Sequence, residues 1–112
     1  MTKIKFFKKG DRLVGIECSG HTGYADFGKD VLCASISSIV QSCYLGLSEV
    51  LKIDMNLNKS DSGYIKFELP EKLDEKILDK SQILFDTLFV SIKDLCEGYS
   101  KYISMEVIEY VY

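Results

Sequence analysis

The sequence predicts an α+β fold with two long helices packed on one face of a mainly antiparallel sheet. Short segments near both ends and in the middle of the chain place apolar residues at every second position. Two longer segments repeat apolar residues at steps of three and four. These are the periods of strands and of amphipathic helices. Their order is β-β-loop-α-β-α-β, and the 112 residues contain no repeat or linker, so we expect a single domain over residues 1–112.

The first two strands are predicted to form a hairpin. Residues 3–8 place apolar side chains such as Ile4 and Phe6 between lysines. In residues 12–18, the side chains of Val14, Ile16 and Cys18 alternate with Leu13, Gly15 and Glu17. Gly10-Asp11 lies between them and is typical of a turn.

A glycine-rich loop and a long helix are predicted next. Residues 19–29 contain three glycines, and long loops in small domains are often functional. The helix is expected from Asp30, a good N-cap residue, to Lys52. Its apolar stripe comprises Leu32, Ile36, Ile39, Val40, Cys43, Leu47, Val50 and Leu51.

The second half is predicted to add a strand, a helix and a last strand. Residues 53–62 are polar and suggest a loop, after which Tyr64 to Leu69 form a strand. Pro70 ends that strand and opens a helix over about 71–98. The stripe of this helix comprises Leu84, Leu88, Ile92, Leu95 and Tyr99, and the last strand carries Ile103, Met105 and Val107.

Composition limits the function classes. The formal net charge is -3 and the lysines form no cluster suited to a phosphate backbone, which argues against nucleic acid as a partner. The N-terminal residues lack the apolar core of a signal peptide, so we expect neither a signal peptide nor a membrane-spanning segment. A cytoplasmic location follows as an expectation, and the four cysteines are then expected to be thiols.

One histidine and one cysteine stand out as candidate chemistry. His21 is the single histidine and lies in the glycine-rich loop, and Cys33 falls in the first turn of the predicted helix. Free amides and the helix dipole favour a thiolate there, which is the nucleophilic form. A loop that brings the imidazole to the sulfur would complete a nucleophile and base pair.

Other interpretations of these residues remain open. Cys18, His21 and Cys33 could bind zinc, but Cys33 and Cys43 would point in different directions on one helix, and so would not form a second tight ligand pair. The histidine and cysteine could also be incidental residues in a non-catalytic binding module. Cys43 and Cys96 fall on or near apolar stripes and are expected to be core residues.

The loop and the helix start resemble the signature of the ribosomal-processing cysteine protease family. Residues 20–25 are Gly-His-Thr-Gly-Tyr-Ala, and residues 28–34 are Gly-Lys-Asp-Val-Leu-Cys-Ala. Family members carry Gly-His-x-Gly-Tyr-Ala and then Gly-x-Asp-Ile-Val-Cys-Ala at the start of a long helix. This chain differs at Thr22 and Val31-Leu32, and both changes are conservative.

The resemblance implies that Cys33 is the nucleophile and His21 the general base. The alternative is a non-catalytic module that binds the ribosome or a ribosomal protein, in which both residues are incidental. We expect no cofactor and no metal. The implied reaction removes a short N-terminal extension from large-subunit ribosomal protein twenty-seven, with cleavage after an aromatic pair. Asp30 is the matching acidic residue, and it would either orient His21 or cap the helix. We expect the oxyanion to be held by amides at the helix start, including that of Cys33.

Substrate contacts and assembly can also be predicted. Tyr24 and Phe27 lie on the loop and would contact the aromatic residues of the substrate or pin the loop to the core. Ser37 and Ser38, one turn after Cys33, are further candidate contacts. Family members are generally homodimers, and the second helix has a wide apolar surface that suits one. That surface comprises Ile83, Leu84, Phe85, Leu88 and Phe89.

Overall fold

The computed structural model describes residues 1–20, 25, 30–61 and 63–110. Within these residues, five strands and two helices follow in the order β-β-α-β-β-α-β, which confirms the predicted α+β class. The strands are β1 (Thr2–Lys9), β2 (Arg12–Ser19), β3 (Asn58–Ser60), β4 (Tyr64–Glu68) and β5 (Ile103–Glu109). The helices are α1 (Val31–Leu45), extended by a π-helical segment at Gly46–Val50, and α2 (Glu75–Gly98).

The strands form one sheet in the order β3-β4-β2-β1-β5. Each neighbouring pair is antiparallel except β1 and β5, which run parallel from Thr2 opposite Ile103. The predicted hairpin is confirmed, and Gly10 in its turn has a φ of +61°, which glycine adopts without steric cost. The strand β3 was not predicted, because it lies inside the polar segment that we expected to be a loop.

Both helices pack on the same face of the sheet. Period-2 side chains of the strands, such as Ile4, Phe6 and Phe67, meet the stripes of the helices in one buried cluster. Phe6 makes an edge contact with Phe89 of α2, at 5.1 Å between ring centroids. Cys43 of α1 donates its thiol proton to a carbonyl of α2 at 3.7 Å, so the two helices also contact each other. Burial of these side chains is the main stabilising contribution.

The ends of the helices differ from the sequence prediction. The second helix begins at Glu75 and not near 71, because Asp74 caps it by accepting a hydrogen bond from the amide of Ile77 at 2.9 Å. Val50, placed on the stripe of the first helix, is 76% exposed in the π-helical segment. Tyr99, placed on the second stripe, follows the end of α2 and is 38% exposed.

The segment Val31–Val50 is long and apolar enough, by length and composition alone, to pass for a membrane span. We had expected no such segment in the sequence. Residues 31–48 meet the criteria because they contain no charged side chain. The segment nevertheless buries Leu32, Ile36 and Val40 in the core cluster under the sheet. A core helix meets the same criteria of length and composition, so the finding is weak evidence for a membrane span.

A side-chain amide attaches α2 to the sheet. The register of β1 against β2 shifts between Phe7 and Lys8, near the place where Leu13 enters β2. The amide of Gln82 accepts a hydrogen bond from the Leu13 N–H at 2.8 Å and donates one to the Leu13 carbonyl at 2.9 Å. Gln82 thus satisfies both backbone groups of one residue, as a neighbouring strand would.

Candidate active site

Cys33 lies in the first turn of α1, where the sequence predicted it. Asp30 has extended backbone angles and is the N-cap, so Cys33 is the third helical residue. The Asp30 carboxylate accepts a hydrogen bond from the Cys33 amide at 2.9 Å, and its carbonyl accepts one from the Ala34 amide. Asp30 therefore caps α1, and the cap fixes the position of Cys33 on the helix.

This cap corrects one expectation about the oxyanion. The Cys33 amide is bonded to the buried Asp30 carboxylate and is not a free donor at the helix start. Whether Asp30 also orients His21 lies outside the described residues.

Cys33 borders a cavity of about 430 Å³, which we call the Cys33 cleft. One wall is the start of α1, with Asp30, Cys33 and Ser37. The opposite wall is the β3–β4 hairpin, which includes Lys59 and Asp61. The floor between the walls comes from Thr2, Cys18, Gly20, Ile36 and Ile65.

Gly20 is held tightly at the edge of this cleft. Its φ is +86°, and a Cβ atom added to it would lie 2.8 Å from the Met1 carbonyl oxygen, so only glycine fits without strain. Its own carbonyl accepts a hydrogen bond from the Thr2 hydroxyl at 3.3 Å. Gly20 precedes His21 in sequence, and Ala25 also lines the cleft. The described residues on both sides of 21–24 therefore border the cavity.

The predicted site residues fall into three groups. Cys33, Asp30 and Ser37 are brought together at the cleft. Ser38 is exposed and is not among the residues that line it. His21, Tyr24 and Phe27 lie outside the described residues.

The far wall of the cleft was missed by sequence reasoning. Lys59 and Asp61 belong to the β3–β4 hairpin, whose strand β3 has three exposed polar residues and no apolar alternation. The glycine at position 63 could have indicated a turn between two strands, and in the structure its φ is +83°.

The other three cysteines differ from Cys33 in their surroundings. Burial raises the pKa of Cys18 to about 12, with the Glu17 carboxylate adding to the effect. Burial also raises the pKa of Cys43 to about 12. Partial burial, and to a lesser extent Glu97, raise the pKa of Cys96. These thiols stay protonated near neutral pH, and protonated thiols are poor nucleophiles.

Comparison with known proteins also indicates a cysteine protease, and the match covers most of the chain. Residues 1–104 match the family described as cysteine protease Prp. The ribosomal processing cysteine protease Prp of Bacillus subtilis (strain 168) is 28% identical over 88 residues, which covers 78% of this chain and 79% of that protein.

Solved structures share the fold. An essential ribosomal processing protease Prp from S. aureus, with a covalently linked product peptide, superposes with a TM-score of 0.83 and 16% identity, over 96% of this chain and 100% of that chain. SMU.848 from Streptococcus mutans superposes with a TM-score of 0.80 and 23% identity, over 98% and 96% of the two chains. The chain thus belongs to the Prp family of cysteine proteases, which are hydrolases that act on peptide bonds.

Proposed function

We propose that this protein removes a short N-terminal extension from large-subunit ribosomal protein twenty-seven by cleaving after an aromatic pair. The observation that carries the proposal is the position of Cys33, on the first turn of α1 and open to a cavity of about 430 Å³. A space of this size accepts a few side chains of a bound peptide. The names of the B. subtilis and S. aureus relatives support a ribosomal substrate.

The chemistry of the cleft suits an apolar peptide segment. Ala25, Ala34, Ile36 and Ile65 give it apolar surface, which favours aromatic side chains of a substrate. Polar groups, including the Ser37 hydroxyl and the Lys59 ammonium, stand at its walls and can bind the peptide backbone.

In the proposed mechanism, the Cys33 sulfur attacks the carbonyl carbon of the scissile bond after His21 has taken its proton. The tetrahedral intermediate collapses to a thioester, and the same proton passes from His21 to the leaving amine. Water then hydrolyses the thioester with His21 as base again, and the thiol is restored.

The direct test is incubation with the host's own ribosomal protein twenty-seven, followed by intact-mass measurement. The expected result is loss of an N-terminal fragment that ends in aromatic residues. Cys33→Ala should abolish cleavage, and His21→Ala should slow it by about 10²–10⁴-fold, the usual effect of losing a general base. Cys43→Ala is the matched control, because that thiol is buried in the core and should not affect the chemistry.

Two outcomes would defeat the proposal. A Cys33→Ala variant that trims at the wild-type rate would exclude Cys33 as nucleophile. A wild-type protein that binds the ribosomal protein and leaves its mass unchanged would favour the non-catalytic binding module.

The four cysteines form no disulfide bond, and together with a ribosomal substrate they support a cytoplasmic location, which stays a prediction. Fractionation of the host cell, with a cytoplasmic enzyme as marker, tests it.

We also propose that the protein acts as a homodimer, with α2 at the interface. Of the five residues predicted for this surface, Phe85 and Leu88 are buried and Leu84 and Phe89 pack against the core. Ile83 is 69% exposed, and Val90, seven residues later on the same side of α2, is 59% exposed. An interface centred on Ile83 and Val90 would cover both side chains.

Sedimentation of the wild type and of Ile83→Glu tests this interface. We expect a dimer that the substitution dissociates, since it would bury a charge at the contact. Lys72→Glu, in an exposed position before α2, is the control and should leave the dimer intact. A single 12.7 kDa species for the wild type at micromolar concentration would contradict the proposal.

A further inference from the structure

A chain of polar side chains connects the two walls of the Cys33 cleft. Gln41 lies on α1, and its Nε2 donates a hydrogen bond to Ser37 Oγ at 2.6 Å. Its Oε1 accepts a hydrogen bond from Lys59 Nζ of β3 at 3.2 Å. Ser37 and Lys59 both line the cleft, on opposite walls. Gln41 therefore joins a residue of the helix to a residue of the hairpin beside the candidate nucleophile.

The donors and acceptors of Lys59, Gln41 and Ser37 determine how each polar group is oriented. An ammonium group can only donate hydrogen bonds, so Lys59 keeps the carbonyl oxygen of the Gln41 amide turned towards itself. The NH₂ group of Gln41 then faces Ser37, whose oxygen must accept. Because the Ser37 oxygen accepts, its own proton remains available for a different acceptor.

Three other hydroxyl groups on the helices, those of Ser35, Thr87 and Ser91, donate to the helix backbone. Ser35 donates to the carbonyl of Val31 four residues earlier, at 2.8 Å. Thr87 and Ser91 do the same at 2.7 Å each. Among residues 1–20, 25, 30–61 and 63–110, the Ser37 side chain makes one hydrogen bond, which its oxygen accepts from Gln41. The proton of Ser37 is thus not bound to the helix backbone in the way that these three are.

A candidate acceptor for this proton is the sulfur of Cys33. Ser37 follows Cys33 by four residues on α1, and side chains at this spacing lie on one face with Cβ atoms about 5–6 Å apart. Both side chains line the same cleft. Hydrogen bonds to a charged acceptor are stronger than those between neutral groups, so a thiolate is the form of Cys33 that gains most from this donor.

We propose that Gln41 and Lys59 are positioning residues that hold the Ser37 hydroxyl as a hydrogen-bond donor to the negatively charged sulfur of Cys33. This inference rests on the proposed role of Cys33 as nucleophile. Gln41 and Lys59 act through Ser37 and do not touch the reacting atoms.

The test is Gln41→Glu. A carboxylate can only accept, so the Ser37 proton turns towards it and away from the sulfur, while Lys59 keeps its partner as an ion pair. If Gln41 only braced the two walls, this change would be neutral or stabilising. We expect labelling of Cys33 by iodoacetamide at about pH 6 to slow about tenfold, as loss of a hydrogen bond to a charged group implies. The midpoint of thermal unfolding should stay near that of the wild type.

The control is the same substitution in a Ser37→Ala background. The added negative charge alone also disfavours a thiolate, and that effect persists without the hydroxyl. We call the proposed path from Gln41 through the Ser37 hydroxyl to the Cys33 sulfur the relay. The relay predicts that Gln41→Glu lowers the labelling rate of Cys33 much less in the Ser37→Ala background. A loss of equal size in both backgrounds, or no loss in either, would overturn the proposal.

The labelling assay separates this proposal from the proposed function. It needs no ribosomal substrate. If the protein does not cleave ribosomal protein twenty-seven, the labelling rates still support or refute the relay. A wild-type protein in which Cys33 labels no faster than Cys96 would overturn the role of Cys33, and the relay with it. Lys59→Met should lower the labelling rate less than Gln41→Glu does, because without Lys59 the Gln41 amide can adopt either orientation. An equally large decrease would mean that Lys59 acts directly on the sulfur, which would contradict its role through Gln41.

Discussion

The buried thiols predict that the protein loses stability at alkaline pH, and Cys43 gives the clearest case. Burial raises the pKa of this thiol from its ordinary 9.0 to about 12 in the folded state. The unfolded chain then releases the proton at lower pH than the folded chain. The stabilisation is complete below pH 9, and it is lost as pH rises towards the folded value.

The magnitude follows from linkage. At about pH 10 a thiol of ordinary pKa is about 90% ionised in the unfolded chain, and about 1% ionised when its pKa is near 12. The difference lowers the free energy of unfolding by about 1.4 kcal/mol for one thiol, relative to neutral pH. Cys18, whose pKa is raised by a similar amount, adds a similar loss.

Urea unfolding of the wild type and of Cys43→Ala, at neutral pH and at about pH 10, measures this effect. The variant loses a small side chain, so it starts less stable, but it should lose about 1.4 kcal/mol less than the wild type between the two conditions. Val40→Ala is the control, because it removes a buried side chain of the same helix that does not titrate. Parallel losses for the wild type and Cys43→Ala would refute the assigned cause.

Three further changes test which contacts hold the sheet and the two helices. Gln82→Met should lower the free energy of unfolding by about 2 kcal/mol in urea titration, because both backbone groups of Leu13 lose their partner; an unchanged value would mean that water replaces the amide fully. Gly15→Ala should destabilise by about 1–3 kcal/mol, since its Cβ would lie 2.9 Å from a carbonyl oxygen of β4, whereas Gly98→Ala has open space and should be neutral or slightly stabilising. Asp30→Ala should lower the thermal midpoint through a capping loss of about 1–2 kcal/mol, and Asp30→Asn should retain most of it; equal losses would show that the negative charge, not the cap, matters at this position.

Local patterns were sufficient to predict most of the sheet and the start of α1. The hairpin of β1 and β2 follows from apolar residues at every second position on either side of Gly10-Asp11. Asp30 and Cys33 are three residues apart, so their hydrogen bond depends only on the local start of the helix. Such features are decided by neighbouring residues, and a single sequence contains them.

The missing elements depend on contacts between distant residues. The strand β3 has exposed polar side chains throughout and exists because the edge of β4 offers it hydrogen-bonding partners. The far wall of the Cys33 cleft comes from this hairpin, so Lys59 could not be placed near Cys33 from spacing alone. The later start of α2 depends on which of several acidic residues caps it, and the structure selects Asp74.

The pairing of β1 with β5 has a consequence for synthesis of the chain. Thr2, at the floor of the cleft, donates its backbone N–H to the carbonyl of Tyr102 at 2.9 Å, and the parallel register begins with Thr2 opposite Ile103. These partners are separated by about the whole chain, so this edge of β1 stays open while the polypeptide emerges from the ribosome. Pairing between residues so distant in sequence closes late in folding. We therefore expect Thr2, and with it part of the floor of the cleft, to reach its final position only after β5 has been translated and has docked.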